Sequence, residues 1–257
     1  MGKVGFLGHF DTDSDIESLV GEFTMAGNIT KDWNFAHILR DYMTSQGDDP
    51  STFIRPGIDW FHSNAATYDA RDNSVIVSSR ENFLIKVNYD TGNIIWIFGD
   101  PTKYWYTFPS LRAKAITLES GGLYPIGQHA TSITSDGLLM LFNDGQGSLN
   151  QPANTPAGET RSYSAVSAYQ IDGNALTAKE VWRFDYNQSI FSGVCSSAYE
   201  ADDKSLLVNY AVADHQTKAR LVGLNKNHDV IFDFEYPTTG CATSWNAVPV
   251  NFEKMQF

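Results

Sequence analysis

The chain has 257 residues, 42% of them hydrophobic, 13% aromatic and 19% charged, a globular composition with an ample core in one large domain or two small ones. A formal charge of −12 and a pI near 4.8 argue against nucleic acid, whose phosphates need a basic footprint, and require any anionic substrate to be held by a local positive cluster. No apolar run approaches the ~18 residues of a membrane span, the opening Met-Gly-Lys-Val-Gly-Phe-Leu-Gly is too short and Gly-interrupted for a secretory signal, and two cysteines, Cys195 and Cys241, are too few to diagnose a compartment.

Residues 9 to 22 carry an acidic cluster of Asp11, Asp13, Asp15 and Glu22 beside His9. Its spacing mimics a calcium loop, but Ile16 stands where such a loop needs glycine for its sharp turn, so a solvated turn is the expectation. From Glu22 a strand, a Gly-Asn turn and a second strand end in Trp33-Asn-Phe35, and a short helix is expected over Phe35 to Thr44.

That hairpin recurs. Leu84 to Phe98 ends in Trp96-Ile-Phe98, Ser164 to Phe184 in Trp182-Arg-Phe184, and Ala219 to Phe234 in Phe232-Asp-Phe234. A second kind of hairpin alternates with it, starting at His62, His129 and Cys195, and these starts lie 67 and 66 residues apart. Each repeat is therefore two hairpins, or four antiparallel strands. Tandem four-stranded sheets are the sequence signature of a β-propeller, an all-β fold whose inner strands line a central channel. The expected partition is the end of a blade over 22–55, blades over 56–100, 128–186 and 194–236, and a closing strand within 243–257, where Thr243 to Val250 resembles a first strand. That makes about three and a half blades, fewer than the ~4 to 8 of a closed ring, and points to the C-terminal part of a larger propeller.

Two insertions separate the repeats. Pro101 to Gly127 carries Tyr104, Trp105, Tyr106, Phe108 and Tyr124, which could wall an aromatic ligand or simply cover apolar surface. Gly145 to Ser162, rich in Gly, Pro, Gln and Asn, reads as an ordered surface loop.

The chemistry concentrates where the first strands begin. In the hairpin Trp60 to Arg80, His62 and Asn64 stand at one outer end and Arg80 at the other, so an imidazole, a carboxamide and a guanidinium converge on a seat suited to a small anion. His129 occupies the repeat position equivalent to His62, which places both in one funnel. Zinc held by His62, His129 and Cys195 is the competing reading, disfavoured by the cationic Arg80.

At these residues the sequence resembles bacterial arylsulfate sulfotransferases. The resemblance is carried by Asp59-Trp-Phe-His62-Ser-Asn64, Val77-Ser-Ser-Arg80, Gly127-Gln-His129-Ala and Phe142-Asn-Asp-Gly-Gln-Gly, and runs from about Trp33 to the C-terminus. It implies a six-bladed propeller exported to the periplasm, which moves a sulfuryl group from a phenolic sulfate ester to a phenol acceptor without a nucleotide donor or another cofactor. It implies His129 as the nucleophile of a transient sulfohistidine, and His62, Asn64 and Arg80 as holders of the sulfuryl oxygens. Cys195 and Ser196 fall where a substrate-binding hydroxyl residue is expected. The sequence departs from that family in lacking a counterpart of an upstream histidine, the first half of the propeller with its export signal, and a cysteine pair around the loop that here is Leu118 to Gly127. A propeller that only binds a partner, an aryl sulfate hydrolase and a homodimer all stay open.

Overall fold

A computed structural model describes residues 5–10 and 18–251. The acidic positions 11, 13 and 15, and the last six residues of the expected closing strand, lie outside the described residues. The described chain is mostly β, arranged as four sheets that follow one another along the sequence. The first holds β1 (Gly5–Phe10), β2 (Leu19–Thr24) and β3 (Ile29–Asn34). The helix α1 (Phe35–Ser45) follows, its first turn capped by the Asn34 side chain, which accepts from the His37 amide at 3.0 Å.

The second sheet holds β4 (Ser63–Asp69), β5 (Ser74–Ser79), β6 (Leu84–Asn88) and β7 (Ile94–Phe98) in sequential antiparallel order. The two-residue β8 (Thr117–Leu118) precedes the third sheet, which comprises β9 (Gln128–Ile133), β10 (Leu139–Asn143), β11 (Ala165–Asp172) and β12 (Thr177–Phe184). The fourth comprises β13 (Ser197–Glu200), β14 (Leu206–Val212), β15 (Lys218–Leu224) and β16 (Val230–Pro237).

Three features depart from the sequence expectation. The chain does not open with a lone hairpin, because β1 pairs along its whole length with β2. β8 adds to the outer strand β12 in parallel, Thr117 opposite Thr177. The aromatic insertion that contains β8 also bridges back to the second sheet at Ile97–Ala115. Its rings join the core: Trp105 is buried with its indole N–H on the Asp100 carbonyl at 2.9 Å, and it meets Phe83 edge-on. The apolar-cover reading holds for Trp105, and no ligand wall is needed to explain it.

The period of two along each strand explains how the sheets are held together. Val75 and Val77 of β5 face the first sheet and α1, packing with Trp33, Phe35 and Leu39, while Ile76 between them faces the third sheet with Leu139 and Leu141. In β10 the intervening Met140 and Phe142 point the other way, to Val208 and Tyr210 of the fourth sheet. The middle strands are thus buried on both faces, which is why Ser74–Ser79 reads as an unbroken buried run. The outer strand of the fourth sheet is uncovered among the described residues, with Phe234 63% and Ile231 59% exposed.

At the far end of the second sheet the buried Asp69 accepts from Arg71 Nε at 2.7 Å and from Lys86 Nζ at 2.9 Å. Arg71 also donates to the carbonyl of Gly137, whose left-handed backbone and lack of a Cβ leave room for the guanidinium. These hydrogen bonds hold the Asp69 carboxyl well below the usual carboxylate range. Because the native pKa is depressed, the stabilisation is full above the ordinary value near 4 and is lost as pH falls below it. Asp69→Ala, which leaves Lys86 buried beside one remaining exposed carboxylate, is expected to cost about 3 kcal/mol in denaturant unfolding at pH 7.

A disulfide joins Cys195, just before β13, to Cys241, closing a loop across a sequence separation of 46. Replacing both cysteines by serine is expected to lower stability by about 2–4 kcal/mol, read as a lower thermal midpoint without reductant and as no further loss when reductant is added.

Candidate functional site

The first strands β4, β9 and β13 lie side by side, and β5 and β10 each touch the first strand of the following sheet. Because adjacent strands are antiparallel, the starts of these first strands lie at the same end as the turn after β5 and the loops after β10 and β14. His62, Arg80, His129 and Cys195 all belong to that end. There the ladders are irregular. A bulge at Asn64 interrupts the β4–β5 pairing, and a second interrupts β9–β10 just after His129. The left-handed region is occupied by His62 (φ 53°), Ala130 (φ 51°), Cys195 (φ 58°) and Ser196 (φ 72°). Bulges and left-handed residues re-aim side chains that a regular strand would alternate, and cost free energy where no glycine relieves them.

The structure brings His62 and Arg80 together through the backbone, with the Arg80 amide donating to the His62 carbonyl at 3.0 Å. His62 Nδ1 lies 2.7 Å from Asp59 Oδ2, which orients the ring. Arg80 is 4% exposed; its Nη1 donates to Glu81 Oε1, while Nη2 is buried without a hydrogen-bond partner among the described residues. Glu81 in turn fixes the loop after β10, accepting from the Leu149 amide at 2.9 Å and the Asn150 amide at 2.8 Å. A buried guanidinium with a spare donor has the chemistry to accept an anion.

Asn64 reaches the next sheet. Its Nδ2 donates to the Gln128 carbonyl at 2.9 Å, and its buried Oδ1 has no hydrogen-bond partner among the described residues. The adjacent His129 is 6% exposed. Its Nδ1 lies 2.9 Å from the Gly127 carbonyl oxygen and 2.9 Å from Asp144 Oδ2. A carbonyl oxygen can only accept, so Nδ1 carries the proton and the lone pair of the neutral ring sits on Nε2. Gly127 can take this place because its φ is 61° and a Cβ would stand 2.7 Å from the Gln146 carbonyl oxygen.

Asp144 is fully buried, and burial pushes its carboxyl up to about 6 even though His129, Arg80 and Arg161 each pull it down. Lys103, buried beside Glu81 and Asp100, is pushed down to about 8 by the same loss of solvent. An open cavity of about 920 Å3 lies on this face, lined in part by Gln146, Leu149, Arg161, Phe191, Val194 and His215.

The remaining expected residues are not presented as free groups. The Cys195 sulfur is in the disulfide, so it offers no thiolate to zinc or substrate. The Ser196 hydroxyl is 2.9 Å from that of Ser192, within reach of the Val194 carbonyl, and accepts from the Ala211 amide at 3.1 Å. Sequence reasoning also passed over Asp59, Glu81 and Asp144. The available signal was an acidic residue beside each repeat-matched position: three before His62, next to Arg80, and directly after the strand that ends at Asn143.

Two curated proteins are similar to this chain. Arylsulfate sulfotransferase AssT of Escherichia coli O6:H1 is 27% identical over 204 residues, covering 73% of this chain and 31% of that protein. The protein of the same name from Lelliottia amnigena is 29% identical over 141 residues, covering 49% and 23% respectively. The chain thus corresponds to about a third or less of the length of these relatives. The model of the arylsulfotransferase (ASST) family matches residues 8–246, and with His62, Arg80 and His129 inside that span the chain belongs to this family.

Proposed function

We propose that this chain carries the sulfuryl-transfer site of an arylsulfate sulfotransferase, moving a sulfuryl group from a phenolic sulfate ester to a phenol through a sulfohistidine at His129. The observation that carries this reading is the fixed Nδ1–H of His129, which directs the lone pair of the neutral ring to Nε2 at the same end of the sheets as a buried guanidinium with an unused donor. Sulfuryl transfer, like phosphoryl transfer, spreads charge over peripheral oxygens in a loose transition state, so position and electrostatics do most of the catalysis.

In the first half-reaction Nε2 forms a bond to sulfur while the bond from sulfur to the aryl oxygen breaks, and the electron pair leaves with the phenolate. Arg80 and Asn64 hold the sulfuryl oxygens. His62, oriented by Asp59, gives the departing phenolate a proton and takes one from the acceptor phenol. The acceptor oxygen then bonds to sulfur as the Nε2–sulfur bond breaks, restoring the ring. The cavity lined in part by Phe191 and Leu149, which none of His62, Asn64, Arg80 and His129 lines, is the neighbouring space we assign to the aryl portion.

The stacking of four consecutive antiparallel sheets with neighbouring first strands supports a β-propeller, six-bladed as the family resemblance implies, partitioned at 22–55, 56–100, 128–186, 194–236 and 243–257. The uncovered outer strand of the fourth sheet is then the seat of a further blade. A periplasmic location accords with the Cys195–Cys241 disulfide, since such bonds persist in oxidising compartments.

The test uses 4-nitrophenyl sulfate with and without phenol, followed by mass mapping of protein trapped at alkaline pH. His129→Asn is expected to abolish both sulfuryl incorporation and turnover. His62→Asn is expected to slow both half-reactions by about 100-fold while leaving slow labelling at His129. A label on His62, or full turnover without His129, overturns the assignment. Release of 4-nitrophenol into water at a rate independent of phenol points to a hydrolase, and no release at all to a binding module.

A further inference from the structure

We infer that Asp144 is the positioning residue of His129, holding the proton on Nδ1 and countering the charge the ring gains when Nε2 is sulfated; this rests on the sulfuryl-transfer reading above. Three observations converge on it. Asp144 Oδ2 is 2.9 Å from His129 Nδ1, on the side of the ring away from the lone pair. The carboxylate is wholly buried, and neither oxygen makes an aligned hydrogen bond among the described residues. The groups whose fields reach it are His129, Arg80 and Arg161, and two of these belong to the candidate site.

A buried carboxylate kept without aligned donors does little for folding. Its charged form is costly there, and a side chain retained only for structure would be expected to have its lone pairs satisfied. Arg161, which bears on Asp144, is itself committed: Nη1 donates to the Tyr124 carbonyl at 3.3 Å and Nη2 to Asn143. That leaves His129 as the group in ion-pair contact with Asp144. The Gly127 carbonyl fixes the direction of Nδ1–H but carries no formal charge. Attack by Nε2 on sulfur turns the ring into an imidazolium bearing hydrogen on Nδ1 and the sulfuryl group on Nε2. An anion 2.9 Å from Nδ1 favours that product over the neutral ring. The proton stays on Nδ1 in both half-reactions; no other atom changes owner at Asp144.

The sign of the linkage separates this role from a structural one. Burial raises the Asp144 carboxyl to about 6, so the folded state binds its proton more tightly than the unfolded state does, and stability falls as pH rises from near 4 through 6. Removing the charge therefore should not weaken the fold at pH 8.

The experiment compares wild type with Asp144→Asn, using 4-nitrophenyl sulfate and phenol. The expected result is a fall in kcat of at least about 100-fold with KM within about threefold, together with a thermal midpoint at pH 8 that is unchanged or higher. Wild-type kcat should decline on the acid side as Asp144 takes up its proton near pH 6, and that limb should be missing from the variant. A kcat within about threefold of wild type, or a lower midpoint with KM and kcat changed in proportion, overturns the inference. If the wild-type protein transfers nothing, the proposed function fails, and the nuclear magnetic resonance signal of the His129 Nδ1–H still decides the pairing. A low-field resonance that shifts upfield in Asp144→Asn upholds the pairing, and one that does not move refutes it.

Discussion

Gln128 ties the third sheet to the second one residue before His129. Its carbonyl accepts from Asn64 Nδ2 at 2.9 Å and from Ser78 Oγ at 3.0 Å, and its own Nε2 donates to the Ser79 carbonyl at 2.6 Å. All of this is buried, where a hydrogen bond lost costs the desolvation of the group left behind. The backbone of β9 is thereby clamped to β5 one residue before His129. Apolar packing between sheets through Ile76 and Leu139 is non-directional and would tolerate a slide. The Gln128 clamp does not, and it converts stacked sheets into a fixed separation between His62 and His129.

The second constraint is charge. In a chain of net −12, the buried cations Arg80 and Lys103 stand among the buried carboxylates Glu81, Asp100 and Asp144. Glu81 is the centre of this arrangement: its carboxylate takes Arg80 and the Leu149 and Asn150 amides, and its carbonyl takes Lys103 Nζ at 3.1 Å and the Ser148 hydroxyl. One residue thus sets the Arg80 side chain and the loop that floors the same face. Lys103 is pushed down to about 8 by burial, yet it is mostly charged at neutral pH and reinforces the local positive field. The screening that weakens surface pairs does not reach these buried groups.

Much of this was legible in the sequence. Aromatic-x-Phe endings and starts 67 and 66 residues apart follow from a strand that must bury alternate side chains against two neighbouring sheets, so the repeat carries the fold. The convergence of His62 and Arg80 follows from hairpin geometry, and the 3.0 Å backbone bond between them is that geometry. What was not legible depends on contacts without a period. Asp144 matters only because the bulge after His129 and the left-handed Ala130 turn the ring towards it, and no alternation rule foresees a bulge. β1 escaped because the opening Gly-Phe-Leu-Gly-His-Phe carries two glycines, which weaken a strand by propensity, and it gains its ladder only from β2. Cys195 was weighed as a ligand because its repeat position matches His62 and His129; its partner lies 46 residues on, in a segment outside the repeat.

That disulfide stands where the junction of the second and third sheets uses hydrogen bonds and apolar packing. At the junction of the second and third sheets, a side chain from the second strand of one sheet, Ser78, takes the carbonyl of the residue that begins the next first strand. At the end of the chain Asn209 of β14 does the same to the Ser244 carbonyl at 2.9 Å, and Ser197 of β13 receives the Ala247 amide at 3.0 Å. Residues 244–247 therefore lie on the fourth sheet as β9 lies on the second, yet they have no ladder of their own to hold them there. The five hydrogen bonds these residues make with β13 and β14, each worth about 1 kcal/mol net, do no more than balance the ordering of four residues at about 1–2 kcal/mol apiece. The covalent bond to Cys241 restricts that segment in the unfolded chain as well, so less entropy is lost when it docks. The repeat position that carries a histidine in the second and third sheets is in the fourth given over to anchoring.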